Sequence, residues 1–334
     1  MNNKIKVGII GCSRIAKNST IPAILKSKDY QLEFIGSTSE EKAKNYASEF
    51  NCEKFGSYED VLNDEKVDVV YISTPVGTHE EWVVKSANSE KHILCEKSST
   101  NSYSSAKKMI DICYENKVRL MECFMFRFHP SHQKVKEFIK NGSLGKIFSF
   151  SGRYGFPPIQ KNDIRYDKSL GGGILNDAGC YPICASRNLF DSEPEGVFCD
   201  LTIDEEYQVD TKASIFMNFD QNRISQCMTG YDLSYQSMYA VWGSKGFLNL
   251  SRAYNVPSNM PVILTLKTED IENTVLIDPV DHFELMINAF SNELNNPGTS
   301  TYNFEEDLIN QAKTMEAARI SHKEKRYVKI NEIQ

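Results

Sequence analysis

In GGGILNDAGCY, residues 171–181, an aspartate stands four residues before a tyrosine, behind three glycines. Positions i and i+4 share a helix face, so Asp177 and Tyr181 would point the same way. That spacing reads as a helix start built around a reacting group. The plain alternative is an Asp and a Tyr that cap and pack a helix.

A second candidate site lies near the start of the chain. VGIIGCSRIA sets Gly11, Cys12, Ser13, Arg14, Ile15 and Ala16 directly after an apolar run. This is the G-x-G-x-x-G/A frame that cradles a dinucleotide's pyrophosphate between a tight turn and a helix N-terminus. Serine at the second glycine costs a Cβ where the backbone approaches the phosphates, and adds a hydroxyl that could reach a phosphate oxygen. The alternative is an ordinary strand-to-helix turn.

NAD sites usually close the next strand with an acid that pairs with the ribose hydroxyls. Here FIGSTSEEKA places Ser37 and Thr38 at that point, with Lys42 one turn on. No acid is present to repel a 2′-phosphate, and two hydroxyls stand at a helix start, so NADP(H) is preferred and NAD(H) is the second choice. Thr38-x-x-Glu41 is also a capping box, in which Thr38 would serve only its helix.

Other residues carry weaker signals. Thr74, Pro75 and His79 follow a strand at its carboxyl end, where cofactors bind in such sheets, although His79 could equally sit on a surface helix. Arg165, in DIRYDKSLGGG, has the planar fork that suits a phosphate or carboxylate of a substrate, as would Lys161 and Lys168 if they faced the pocket. An exposed loop arginine is the alternative. His129 and His132 have an i, i+3 metal spacing and Cys180 and Cys184 an i, i+4 one, but further ligands are lacking and no metal is expected.

The elements that must position these groups fall into two sets. From residue 4 to about 123, the short runs KIKVGIIG, QLEFIGS, VDVVYIS, KHILCE and VRLME alternate with helical stretches at Glu40 to Phe50, Thr78 to Asn88 and Ser102 to Asn116. This predicts an α/β doubly wound parallel sheet over 1–123. After a helix ended by Asn141-Gly142 the period changes to two. In KIFSFSGRYGF, Phe148, Phe150, Tyr154 and Phe156 share one predicted face; Ser149, Ser151 and Arg153 share the other.

Further alternating runs at Thr211 to Phe219, Arg223 to Tyr231, Tyr235 to Trp242 and Val262 to Leu266 predict an α+β domain over 124–334 with a largely antiparallel open sheet. Ala213, Ile215, Met217 and Phe219 should form one face of its strand, and that sheet needs cover on at least one side. Two helices close the chain, near Asp281 to Asn295 and Glu305 to His322, the last packing back on a domain face.

Composition excludes several classes. The chain has 334 residues, long enough for two cores, and 38 Lys+Arg against 45 Asp+Glu give a net charge of -7 without a basic stripe. Nucleic acid and anionic membrane are not expected as partners. No apolar run reaches the roughly 20 residues of a membrane helix, and the first strand begins at once, so the chain reads as cytoplasmic. Nine cysteines without a CxxC pair read as reduced thiols.

Taken in order, GIIGCSRIA, STPVGTHEEW, HILCEKSST, ECFMFRFHPSHQKV and GGGILNDAGCYP resemble the glucose-fructose oxidoreductase / inositol dehydrogenase / rhizopine catabolism (Gfo/Idh/MocA) family over nearly the whole chain. The resemblance implies a Rossmann domain, an α+β domain, and assembly as a homodimer or homotetramer through the C-terminal sheet. It places Thr74, Pro75 and His79 beside the dinucleotide. Glu96-Lys97 matches the family's E-K-P motif, whose lysine lies at the nicotinamide, but Ser98 replaces the proline, which predicts a looser Lys97.

The opening stretch matches G-G-G-x-L-x-D-x-G-x-H/Y in its tyrosine form. This resembles the dihydrodiol dehydrogenase, glucose-fructose oxidoreductase, aldose dehydrogenase and nucleotide-sugar ketoreductase branches. The implied roles are Tyr181 as acid/base and Asp177 as a substrate-orienting carboxylate, with the glycines letting the helix start approach nicotinamide and substrate. A phenol with a pKa near ~10 needs a shift of about 3 units to work at neutrality, and a cation within ~4–6 Å supplies 1 to 3. Lys97 is its natural source. The expected activity is hydride transfer between NADP(H) and a secondary alcohol or ketone of a sugar or diol. A non-catalytic sensor on the same fold is the alternative.

Overall fold

A computed structural model describes residues 4–269, 272–298 and 302–334. The chain forms two compact units, Met1–Met125 with Phe283–Ile309, and Phe126–His282 with Asn310–Gln334.

The first unit is a six-stranded parallel sheet in the order β3-β2-β1-β4-β5-β6. Its strands are β1 (Ile5–Ile10), β2 (Tyr30–Gly36), β3 (Lys54–Gly56), β4 (Val69–Ile72), β5 (His92–Cys95) and β6 (Leu120–Glu122). Between them lie α1 (Ile21–Lys26), α2 (Glu40–Glu49), α3 (Tyr58–Asn63), α4 (His79–Asn88) and α5 (Tyr103–Glu115). The order reverses between β1 and β4, the switch point beside which doubly wound sheets bind ligands. Val7, Ile9, Ile10 and all of β4 are buried. Helices cover both faces of such a sheet, which is why these strands read as continuous apolar runs. Strand β3 has three residues, too few to show a period, and the sequence pattern passed over it and α3.

The second unit carries α6 (Pro130–Lys140), β7 (Ile147–Gly155), α7 (Cys180–Phe190), β8 (Gly196–Ile203), β9 (Asp210–Asn218), β10 (Ile224–Gly230), β11 (Gln236–Gly243), β12 (Gly246–Leu250), β13 (Val262–Thr268) and β14 (Glu272–Ile277). Towards the C-terminus, α8 (His282–Asn295) falls in the first unit from Phe283 on, α9 (Phe304–Glu324) begins in the first unit and continues in the second, and β15 (Val328–Lys329) belongs to the second. The nine-stranded sheet has the order β14-β13-β12-β11-β7-β10-β9-β8-β15 and is antiparallel except where β10 meets β7. On β9, Ala213, Ile215 and Met217 are buried, as is Phe219 just beyond its end, as the alternation predicts.

Phe148 departs from its predicted face. Phe150 and Tyr154 are buried, whereas Phe148 is 49% exposed and packs edge-on against the exposed Trp242. The register of β7 on β11 slips at this point, with Trp242 opposite Ser149 and Gly243 opposite Ile147. One extra residue in a strand turns a side chain to the other face.

In the first unit, Arg119 pairs with Glu305 through Nε at 2.8 Å and with Glu293, while the Leu120 N–H also donates to Glu305. This buried ion-pair network ties α8 and the start of α9 to the β6 edge. All nine cysteines are buried free thiols. Among the described residues no helix is long and apolar enough to cross a membrane.

Candidate active site

The turn after β1 is shaped by backbone approach. Gly11 has φ +107°, and a Cβ there would lie 3.0 Å from the Ser73 carbonyl carbon, so only glycine fits without strain. Ser73 Oγ donates to the Gly11 carbonyl at 2.7 Å, locking the ends of β1 and β4 together. Ser13 Oγ accepts from the Ala16 N–H at 3.1 Å, and the helix that follows opens with a π-turn at Ala16–Thr20. Accepting there leaves the serine O–H able to donate. Arg14 is exposed and Ile15 half-buried on the same turn.

At the end of β2, the capping reading of Thr38 is corrected: the cap of α2 is Ser39, whose Oγ accepts from the Lys42 N–H at 3.3 Å. Thr38 is exposed one residue earlier and hydrogen-bonds Tyr58. Ser37 is buried and bonds the Cys12 thiol. Burial raises that thiol's pKa, and Ser37 and the Lys42 charge lower it in part. Ser37 and Lys42, at the end of β2 and the start of α2, thus act on Cys12 in the turn after β1, which also carries Gly11 and Ser13.

Beyond β4, Thr78 Oγ1 donates to the Pro75 carbonyl at 2.8 Å and lies 2.9 Å from Thr74 Oγ1, from which it can accept. His79 is buried, with Nε2 2.8 Å from the Thr74 carbonyl and Nδ1 3.1 Å from that of Ser98. Glu96 is buried too. It accepts from Tyr71 Oη at 2.6 Å and from the Lys97 N–H at 3.3 Å, and burial raises its pKa. Lys97 itself is half-buried, and its peptide bond to Ser98 is cis. Without the proline, the backbone around Lys97 is tied by hydrogen bonds. Glu96 holds the Lys97 N–H, His79 lies on the Ser98 carbonyl, and the Ser99 N–H donates to Glu122 at 2.8 Å.

In the second unit the three glycines have local structural causes. Gly171 and Gly173 have φ +81° and +116°. A Cβ on Gly172 would strike the Arg165 carbonyl oxygen at 2.5 Å, and one on Gly173 would overlap Asp210 Oδ1. Asp210 Oδ2 accepts from the Leu175 N–H at 2.6 Å, so the helix start is already capped by a carboxylate of this chain. Leu175–Gly179 is a π-turn running straight into α7, which no sequence pattern announces. Asp177 lies in that turn and Tyr181 is the second residue of α7.

Tyr181 is buried in an aromatic cage. Its ring centroid is 5.1 Å from Tyr154, 5.6 Å from Phe126 and 5.7 Å from Tyr254. Gly152 admits this packing, since a Cβ there would meet Pro182 at 2.7 Å and Tyr254 Oη at 2.9 Å. Arg165 is not a lone anion receptor: Nε donates to Asp177 Oδ2 at 2.6 Å and Nη1 to Asp163 Oδ1 at 3.1 Å. Tyr231 Oη also reaches Asp177 Oδ2, at 3.4 Å. Sequence reasoning missed Tyr231 and Tyr254, which lie far away in the chain; Tyr154 was legible only as an inward residue of β7. Lys161 lies 3.6 Å from Glu206 on the surface, and Lys168 stands on a short exposed turn. His129 and His132 are buried without a metal-ligand set: His132 Nε2 sits 2.8 Å from the Ala253 carbonyl and Nδ1 3.0 Å from Tyr239 Oη.

Residues 5–124 match the family model of an oxidoreductase family with an NAD-binding Rossmann fold, and residues 132–249 match the GFO/IDH/MocA C-terminal domain. The chain belongs to the Gfo/Idh/MocA oxidoreductase family. Its Gfo/Idh/MocA relatives include a dTDP-3,4-didehydro-2,6-dideoxy-alpha-D-glucose 3-reductase from Actinomadura kijaniata, 30% identical over 95% of each chain. Another is D-xylose 1-dehydrogenase (NADP(+)) 2 from Haloferax volcanii, 32% identical over 90% of this chain and 92% of that one. Among solved structures, KijD10, a 3-ketoreductase from A. kijaniata in complex with NADP and TDP-benzene, superimposes with a TM-score of 0.91 at 29% identity, over 96% of this chain and 98% of the other. A catalytic Gfo/Idh/MocA oxidoreductase acting on sugar hydroxyl or keto groups fits this company better than a non-catalytic sensor.

Proposed function

We propose that the protein is an NADP(H)-dependent oxidoreductase that interconverts a ketone and a secondary alcohol on a sugar, with reduction of a nucleotide-linked keto-sugar as its favoured direction. The observation that carries this reading is the pairing of Asp177 and Tyr181 on one continuous helix, with Asp177 held by Arg165 and Tyr231. The nucleotide-sugar reductase and NADP-dependent xylose dehydrogenase among the relatives support the substrate class and the cofactor.

Gly11, Cys12, Ser13, Arg14 and Ile15 would hold the pyrophosphate, Ser37, Thr38 and Lys42 the 2′-phosphate, and Thr74, Pro75 and Lys97 the nicotinamide side. His79 and Glu96 act beneath that surface, through the backbone. When bound, the dinucleotide supplies or accepts a hydride. Tyr181 would give its phenolic proton to the carbonyl oxygen as that oxygen gains charge, and the Lys97 charge would stabilise a developing oxyanion. Asp177 accepts hydrogen bonds from sugar hydroxyls. Held by Arg165, it orients the substrate.

We further propose that the open face of the second unit's sheet seats a second copy. Phe148, Phe198, Met228, Trp242, Phe247 and Ile263 are all exposed there, and contiguous exposed apolar side chains mark interaction sites. Homodimer or homotetramer is expected, and a monomer in sedimentation at micromolar concentration would remove the idea. The buried free thiols suit a reducing compartment such as the cytoplasm.

The test is fluorescence titration with NADPH and NADH, then absorbance assays over nucleotide-linked keto-sugars, aldoses and vicinal diols. NADPH should bind more tightly, and a keto-sugar should give the highest kcat/KM. An active wild type whose Lys97→Met and Tyr181→Phe variants lose nothing overturns the mechanism.

A further inference from the structure

His79, the first residue of α4, lies between the carboxyl ends of two strands. Residues Ile72 and Cys95 are paired across β4 and β5, so the loops that leave these strands start level with one another. The His79 ring is 1% exposed and touches both: Nε2 is 2.8 Å from the Thr74 carbonyl and Nδ1 3.1 Å from the Ser98 carbonyl. Both partners are acceptors. A neutral imidazole has one N–H to give and an imidazolium two, so the ring commits its polar capacity to backbone. The Ser98 carbonyl follows Lys97 directly. The other tethers described on this segment, Glu96 on the Lys97 N–H and Glu122 on the Ser99 N–H, come from β5 and β6. His79 adds the link to the loop after β4.

We propose that His79 is a positioning residue for Lys97: its ring, wedged between the carbonyls of Thr74 and Ser98 and donating to one of them when neutral and to both when protonated, sets where the Lys97 chain leaves the sheet. The proposal rests on Lys97 being the reacting lysine. Burial lowers the imidazole's pKa, the carbonyls of Thr74, Ser98 and Ser99 work against that, and the Lys97 charge lowers it further. The lysine and the ring therefore sense one another, and the second ring proton that would complete the bridge is held loosely.

The test reads Lys97 itself. The protein is reductively methylated with 13C-formaldehyde, the Lys97 resonance is identified by its loss in Lys97→Arg, and its pH titration is compared among variants. His79→Leu should move the apparent pKa of Lys97 by about half a unit or more and lower kcat about tenfold to a hundredfold, with the KM for NADPH little changed. His79→Asn places an amide nitrogen where Nδ1 stood and keeps the Ser98 link; His79→Gln replaces Nε2 and keeps only the Thr74 link. Asn should restore Lys97 better than Gln, and this comparison stands even if His79→Leu fails to fold. A folded His79→Leu with an unaltered Lys97 titration, or Gln restoring as well as Asn, overturns the proposal. Full activity in Lys97→Met would instead remove the catalytic reading of Lys97 and leave the resonance result in place.

Discussion

Arg165 donates from Nε to Asp177 Oδ2 at 2.6 Å and from Nη1 to Asp163 Oδ1 at 3.1 Å. One guanidinium thus serves two carboxylates, and Asp177 is held by an oxygen that Tyr231 Oη also approaches. Arg165→Gln should raise the KM for the sugar about tenfold, the loss of roughly one good hydrogen bond's worth of orientation, while the KM for NADPH stays within twofold. The pair is one-third exposed on the arginine side, so the stability cost should be about 1–2 kcal/mol, below that of a fully buried pair. Steady-state kinetics and urea unfolding check both; an unchanged sugar KM would show that Asp177 needs no such support.

Tyr181 packs by its ring and reacts by its hydroxyl, so the two roles separate in one substitution. Tyr181→Phe keeps the contacts with Tyr154, Phe126 and Tyr254 and should shift stability by no more than about 1 kcal/mol. It should lower kcat about 10²-fold or more. Stopped-flow absorbance of the reduced dinucleotide with equal protein fold content, checked by circular dichroism, decides the matter.

Gly173 has both a left-handed φ and a neighbour in the way. Gly173→Ala places a methyl on Asp210 Oδ1 and holds alanine at φ +116°. About 2–4 kcal/mol of stability should be lost, from backbone strain and from displacing the carboxylate that caps Leu175. A loss below about 0.5 kcal/mol in urea unfolding would mean that Asp210 moves aside at little cost.

Lys42 carries a charge near the start of α2 that is felt at Cys12. Lys42→Glu should raise the KM for NADPH about tenfold and leave that for NADH nearly unchanged, because only the first bears a 2′-phosphate to repel. Equal effects on the two cofactors would place the 2′-phosphate elsewhere.

His129, His132 and His282 are buried, the first and last with rings 5.9 Å apart, and burial lowers their pKa values to about 4, about 3 and about 4. Each folded pKa is depressed below the unfolded value near ~6.5, so protons bind the unfolded chain more tightly. The stability these neutral rings contribute is fully present above about pH 6.5 and is lost as pH falls toward the folded values. His132 alone should cost about 2 kcal/mol at pH 5. Urea midpoints at pH 7 and pH 5 should differ, and His132→Gln should reduce the difference; a flat wild-type profile would contradict the burial argument.

The chain's own alternation of apolar runs and capped helices announced the parallel sheet of the first unit, because strands buried on both faces must be apolar throughout. The inward row of β9 was equally legible, since a period of two is a local property. Gly11 stood out for the same reason, in a short motif whose parts are neighbours in sequence, whereas Lys97, Asp177 and Tyr181 drew their roles from the family resemblance. Phe148 was misread because the bulge that turns it is a property of its pairing with β11.

The same division runs through the site. Sequence alone determined which groups with usable chemistry stand at the strand and helix ends. Only the tertiary structure decided what holds them: His79 on the Ser98 carbonyl, Arg165 and Tyr231 on Asp177, Asp210 beneath the glycines, and three aromatic rings around Tyr181. The reason is physical. A residue's reactivity is carried by its type, whereas its orientation is set by hydrogen bonds and packing from segments that become neighbours only when the chain folds.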